Sequence, residues 1–483
     1  MLQKLGKLLL ANSSNWKYWL AIAFLSRLIL FLLVMHYRQY ESFPGFWGGL
    51  RGDVDGYVIP FENLANTGIY APDYRMPGFG VLYYPLILIF PKAIACNVLI
   101  CIQLILSSLS VYALALIVKK LLNNSNALFY LTFFLYTISI YSSLFDAVIG
   151  SESLTTSLLI FSVYFFTRDF ENYKVRDLIF SGTFLAWTAF LRPIFTPLVL
   201  VYFTLVIIQL IRSKKKLINA FLFLLPFILA DGSWTVRNYI HYKEVIPLTR
   251  TVFFPWIEHT HLKSMVEFAQ AWGGAIWFID PNAEIYWFSD GKPCPLGNTD
   301  KSDSLPFPNY IYTSQFNKDS LKVLKGLITH MLSDSSISVS QKDEYQKSVI
   351  ERFTRYTLSI KKEKPYIFYI KSSERRMSTM LFNIHTVSKL YINNFITNFY
   401  NIFYYTILWL GLIGSLLMLP FIFKMSIQSI LPIIPIYTIL IHTVIVRENE
   451  NRYLIPAWPF LIICAACSLY WGYSKLFPNK QIK

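Results

Sequence analysis

The sequence predicts an all-α polytopic membrane protein of about ten transmembrane helices, carrying a mixed helix-and-loop subdomain on the extracytoplasmic side. Three observations predict it. Of 483 residues, 54% are hydrophobic and only 15% charged, whereas soluble domains carry about 25% charged residues. Apolar runs near the ~20 residues needed to cross the hydrocarbon recur along the chain. The basic residues behind the formal net charge of +16 mostly flank those runs, as the positive-inside bias requires, so the charge speaks for topology and not for nucleic acid.

Lys4, Lys7 and Lys17 precede a first crossing at about 16–37, which places the N-terminus in the cytoplasm and the next loop outside. No small-residue cleavage site precedes a short apolar core, so this run reads as a retained helix. The first outer loop, 38–80, holds Asp53 and Asp55 beside glycines, a short helix at 58–65, a turn at Gly68 and the run Arg75-Met76-Pro77-Gly78. Residues 81–90, broken by Pro85 and Pro91, read as an interfacial or re-entrant helix. Crossings follow at about 94–118, 127–147, 154–166, 178–191, 194–211 and 217–230. Lys119-Lys120, Arg168 and the Arg212–Lys216 run mark inner turns; Asp146, Ser151, Glu152, Arg192 and Arg237 mark outer ones.

Residues 233–394 turn polar, with no run long enough to cross, and read as the extracytoplasmic subdomain. Crossings at 395–419, 427–446 and 454–473 complete the chain. Three parts result: an N-terminal membrane module (1–232), the subdomain (233–394) and the C-terminal helices (395–483). No internal repeat is visible, which weighs against an inverted-repeat transporter. Cys96, Cys101, Cys464 and Cys467 lie in apolar runs and Cys294 stands alone, so neither a disulfide framework nor a zinc spacing is present.

Charged residues at the membrane edge that lack a simple anchoring role gather on the outer side: Asp53, Asp55, Arg75, Asp146, Glu152, Arg192, Arg237, Arg447, Glu450 and Arg452. Carboxylates held close to lipid are costly and suggest function. An ionised carboxylate within reach of an alcohol acts as a base, and the planar fork of arginine suits a phosphate. Together these fit sugar transfer from a lipid-linked donor: Asp deprotonates the acceptor, the acceptor attacks the anomeric carbon, and Arg neutralises the departing lipid phosphate.

Four segments carry a resemblance. They are Asp53-x3-Tyr57 with Ala65, Gly68-x-Tyr70 and Arg75-x-Pro77-Gly78; Ser151-Glu152; Leu191-Arg192-Pro193 with Trp234-x2-Arg237-Asn238-Tyr239 and Val245-Ile246-Pro247-Leu248; and Glu450-x-Arg452-Tyr453-x2-Pro456. In this order they resemble the GT-C class of membrane glycosyltransferases, within it the dolichyl-phosphate-mannose-protein mannosyltransferase and bacterial aminoarabinose transferase group. The resemblance implies an enzyme, an inverting hexosyl- or pentosyltransferase. It also implies a multi-pass protein of the bacterial cytoplasmic membrane with an outward-facing site, a polyprenyl-phosphate-linked sugar donor, and a lipid, glycan or protein acceptor. The catalytic acid of that group falls on Asp53, with Asp55 second. Arg75, Arg192, Arg237 and Arg452 are the candidates for the donor phosphate, and Tyr57, Glu152, Glu450 and His442 are further site candidates. Residues from about 250 to 390 carry no resemblance.

Plainer readings stand beside these. Asp53 and Asp55 suit the N-cap of the helix near Tyr57. As an Asp-x-Asp pair they offer a divalent cation too few oxygens alone, so the sequence leaves cofactors open and requires none. Glu450 with Arg452 fits an outer ion pair, and His442 in an apolar helix fits a packed bundle residue. A transporter or flippase of lipid-linked sugars, and a noncatalytic glycolipid-binding protein, are the rival functions.

Overall fold

Runs rich in Leu, Ile and Phe with few breakers fold as helix almost end to end. The computed structural model describes residues 15–38, 42–50, 54–122, 125–168, 174–249, 261–274, 308–333, 337–382, 394–448 and 450–476. In chain order the longer helices are α1 (Trp16–Arg38), α2 (Asp55–Thr67), α3 (Gly80–Ile89), α4 (Lys92–Leu121), α5 (Asn126–Thr137), α6 (Ser151–Arg168), α7 (Val175–Leu191), α8 (Thr196–Arg212), α9 (Ile218–Tyr242), α10 (His261–Trp272), α11 (Lys318–Ser333), α12 (Val339–Glu363), α13 (Ser372–Phe382), α14 (Asn394–Leu417), α15 (Ile430–Leu440) and α16 (Trp458–Leu476). Among the described residues there is no strand, and one isolated parallel bridge joins Gly49 to Val148.

Among the described residues, seven helical segments are long and apolar enough to cross a membrane: Trp16–Tyr37, Lys92–Leu121, Pro193–Arg212, Ile218–Tyr242, Thr397–Phe423, Ile427–Val446 and Asn451–Lys475. The chain is therefore an all-α membrane protein. The other three expected runs also form helices, but α5 and α7 have only 12 and 17 residues, and α6 opens with the polar run Ser-Glu-Ser-Leu-Thr-Thr-Ser. The run expected at 127–147 stops at Thr137. One helical turn resumes at Ile140–Ser143, where Ser142 and Ser143 receive hydrogen bonds from the buried Arg27 of α1. Helix α9 runs 12 residues beyond the expected end at 230, carrying Asp231, Trp234 and Arg237 on its last turns.

The chain forms two compact units. The first contains 1–250, 384–438 and 454–483. Its helices approach closely where small residues allow. A Cβ on Gly414 of α14 would lie 2.0 Å from the Cys464 carbonyl of α16, the small-residue contact by which membrane helices gain packing. Tyr404 stacks on Trp458 at 4.7 Å, and Trp458 donates to Ser139 Oγ. At the basic ends, Gln209 and Arg212 of α8 donate to the Met425 carbonyl.

The second unit contains 251–383 and 439–453. Val349, Phe353, Tyr356 and Ile360 form one buried stripe on α12 at helical spacing, which packs with Phe268, Trp272 and Phe316. A capping box, Ser338 with Gln341, starts α12.

Within the first unit one close approach positions the loop at 70–78. A Cβ on Gly78 would lie 2.5 Å from the Phe190 backbone at the end of α7, and Trp187 Nε1 donates to the Gly78 carbonyl at 2.8 Å. Gly78→Ala is expected to destabilise the protein by about 1–3 kcal/mol, the usual range for overpacking. A thermal melt of the purified variant in detergent that matches wild type would contradict this seating.

Candidate active site

Four pieces of the first unit meet around the loop at 70–78. Helix α2 ends at Gly68, which takes the left-handed conformation (φ 76°) that closes helices. At its other end α2 presents Tyr57, buried. Pro193 pushes Arg192 into extended backbone (φ −143°, ψ 100°), so α7 stops there. Ser151 and Glu152 begin α6, and α9 contributes its last turns.

These pieces form one hydrogen-bonded chain. Arg75 Nη1 donates to the Tyr57 hydroxyl at 2.7 Å, with the guanidinium 4.1 Å from the Tyr57 ring centroid. The Tyr57 hydroxyl shares a 2.9 Å hydrogen bond with Ser151 Oγ. Arg192 Nε donates to that same Ser151 Oγ at 2.8 Å, and Arg192 Nη2 pairs with Glu152 Oε1 at 2.7 Å. The two charged side chains of that pair are only 11% and 6% exposed. Arg75 also lies against Gly56, where a Cβ would be 2.7 Å from its Nε, so the cation adjoins the residue after Asp55.

A second ionic centre sits beside the first. Arg237 Nη1 donates to Asp73 Oδ2 at 2.8 Å, Tyr242 donates to the same oxygen, and Arg237 lies 4.9 Å from the Trp234 ring. Burial acts to raise the Asp73 carboxyl, but the hydrogen bonds from Tyr242 and Arg237 and the Arg237 charge outweigh it and hold Asp73 below its ordinary 3.8. Asp73, Arg75, Trp234, Asn238, Tyr242 and Thr249 are among the lining of a pocket with room for about one water molecule.

Tyr57, Arg75, Glu152 and Arg192 are thus brought together, with Arg237 in the adjoining pair. Asp55 is exposed at the start of α2, whose next three residues are buried. Val54 holds the cap position, and no side chain closes that end, so Asp55 does not cap the helix. Asp53 lies outside the described residues. The described residues on either side of it are anchored: Gly49 N donates to the Ala147 carbonyl, and Val54 is buried. Arg452, Glu450 and His442 belong to the second unit. There Arg452 pairs with Glu450, and the buried His442 stacks on Tyr453 at 4.6 Å with its Nδ1 4.0 Å from Glu448. Among the described residues no three His, Cys, Asp or Glu side chains gather to hold a metal ion.

Sequence reasoning passed over Asp73, Ser151 and Tyr242 as site residues. The signal for Tyr242 was present in the spacing: Trp234, Arg237, Asn238 and Tyr242 recur at helical intervals on one face of α9. Asp73 had none, since its partners come from a helix more than 160 positions away.

No protein-family model matches this chain, and no curated protein is similar enough to register.

Removing one partner of the Glu152–Arg192 pair strands a buried charge. Arg192→Ala is expected to cost about 3–5 kcal/mol, and a joint Glu152→Gln, Arg192→Met replacement to recover most of it. Equal unfolding midpoints for the single and joint variants would refute this. Because the folded-state carboxyl of Asp73 is depressed, its stabilisation is complete above 3.8 and is lost as pH falls through the lower folded value. Asp73→Asn should therefore flatten the acid limb of a stability-versus-pH curve below about pH 4; an unaltered limb would show that Asp73 is not responsible.

Proposed function

We propose that this protein is a membrane-embedded glycosyltransferase that moves a sugar from a polyprenyl-phosphate donor to an acceptor hydroxyl on the extracytoplasmic face. The observation that carries the reading is the convergence of Arg75 with the Asp55–Gly56 turn and with the chain Tyr57–Ser151–Arg192–Glu152. A carboxylate base and a guanidinium at one membrane edge are the two groups that transfer from a lipid phosphate requires. The helices suited to crossing the bilayer suit a donor whose long tail favours lipid by about 0.8 kcal/mol per CH2.

In this mechanism Asp53, with Asp55 as the alternative, takes the proton from the acceptor hydroxyl. The acceptor oxygen bonds to the anomeric carbon as the carbon–oxygen bond to phosphate breaks, and that electron pair leaves with the lipid phosphate. Arg75, which both lines the pocket and lies against Gly56, neutralises the new charge. Arg192 and Arg237 act through Glu152 and Asp73, holding α6, α7 and α9 around the loop. The pocket as it stands is too small for a sugar phosphate, so donor binding parts the loop at 70–78 from α9. The acceptor is a lipid, a glycan or a protein.

One observation favours a second reading, movement of a lipid-linked sugar across the membrane. Arg27 lies midway along α1, 1% exposed, and donates to Ser142 and Ser143 within electrostatic reach of the buried Asp146. Buried charge inside a span is a mark of transport paths as well as of structure.

The test compares envelope glycans and polyprenyl-linked sugars by mass spectrometry in cells carrying wild type, Asp53→Asn, Asp55→Asn and Arg75→Ala. Loss of the base is expected to lower transfer about 10²–10⁴-fold, and loss of Arg75 about 10²–10³-fold, with the donor lipid accumulating. A glycan profile unchanged in all three variants rejects the enzyme. Failure of the donor to reach the outer leaflet in an Arg27→Met variant, with transfer by membrane extracts intact, favours the transport reading.

A further inference from the structure

The second unit carries a group of cations that use aromatic rings and neutral acceptors where carboxylates would be expected. Lys364 Nζ donates to the Tyr310 carbonyl at 2.8 Å, Lys371 Nζ lies 4.4 Å from the Tyr310 ring centroid, and Arg375 Nη1 donates to the Tyr310 hydroxyl at 2.7 Å. Three cations thus surround one tyrosine, and among the described residues none of them is in a salt bridge with a carboxylate. Nearby, Arg376 is fully buried, with Nε donating to the Thr443 carbonyl and Nη1 to the Gln270 carbonyl. Burial and the adjacent Arg447 charge push Arg376 down to about 9. Lys364 has Glu363 within electrostatic reach, and Lys364, Lys371 and Arg375 are all at least partly exposed, so their charge is open to an anion from outside the chain.

The same contacts fix the place of this group. Val446 ends a helix apolar enough to cross the membrane, and the last turns of that helix belong to this unit. Arg376 bonds to Thr443 within those turns, and Arg447, the first residue beyond them, lies 4.2 Å from the Phe368 ring centroid. The π-helical turn Ile367–Lys371 and the start of α13 are thereby held beside the end of that apolar helix. That turn shows lipid-anchor chemistry: Tyr366, Tyr369 and Ile370 are 60%, 51% and 56% exposed, beside the basic residues. Tyrosine rings beside lysine and arginine are what protein presents to the headgroup layer.

We propose that Lys364, Lys371 and Arg375, arranged around Tyr310, seat the phosphate of an anionic bilayer lipid, with Tyr366, Tyr369 and Ile370 resting in the interface beside it. The anchor holds the second unit down on the bilayer surface. It requires no sugar transfer and is independent of the function proposed above.

The full chain is reconstituted in nanodiscs of phosphatidylcholine with phosphatidylglycerol, and the lipids retained on the released protein are counted by native mass spectrometry. Wild type should keep phosphatidylglycerol in preference to phosphatidylcholine. Each of Lys364→Ala, Lys371→Ala and Arg375→Ala should lower that preference about fivefold at low salt, while Lys322→Ala on α11 leaves it unchanged. Lys371→Gln covers the case in which Lys371→Ala fails to fold. A preference equal to wild type in folded Lys371→Gln and Arg375→Ala overturns the proposal. Displacement of the lipid by millimolar glucose 1-phosphate would assign the site to soluble phosphates and equally overturn it.

Discussion

A carboxylate removed from water has to find a cation, and in this protein the Glu152–Arg192 pair is the place where that requirement shapes the site. Its two groups sit where α6 begins and α7 ends, almost wholly covered by the first unit. Neither can be buried alone without a cost of several kcal/mol, so the pair fastens the two helix ends together. Ser151, one residue away, then offers its hydroxyl to Arg192 and to Tyr57, and Tyr57 receives Arg75. A single desolvated ion pair thus orders the outer loop from the inside outward.

The neighbouring Asp73–Arg237 pair follows different rules because it is only partly covered, with side chains 24% and 28% exposed. Water screens it, and its contribution lies more in direction than in energy. It fixes which way the 70–78 loop leans on α9, and one more donor, Tyr242, joins Arg237 on the same carboxylate oxygen. A firm inner pair and a softer outer pair give a site with a rigid wall and a wall able to yield. That combination is compatible with the opening proposed for donor binding.

The second unit meets the same physics with a different solution. Around Tyr310 and Phe368 the cations lie on rings and carbonyls, contacts that orient a guanidinium or ammonium without cancelling its charge. Charge left in place near the end of an apolar span remains available to the headgroup layer.

The all-α membrane class was legible in the sequence because it depends on composition and run length, which no tertiary contact can alter: a segment of Leu, Ile and Phe has no other stable place to be. Local chemistry was legible for similar reasons, as in the Gly68 helix stop and the halt of α7 before Pro193. Of the residues singled out as candidates, Tyr57, Arg75, Glu152 and Arg192 lie together, three near helix ends and Arg75 in the 70–78 loop. What the sequence left open was pairing. Which carboxylate meets which arginine depends on how helices distant in sequence pack, so Asp73 joining Arg237, and Glu152 joining Arg192, were decided by tertiary structure. The break after Thr137 was likewise decided there, where the buried Arg27 of α1 bonds to Ser142 and Ser143 in an apolar run that by itself reads as one crossing.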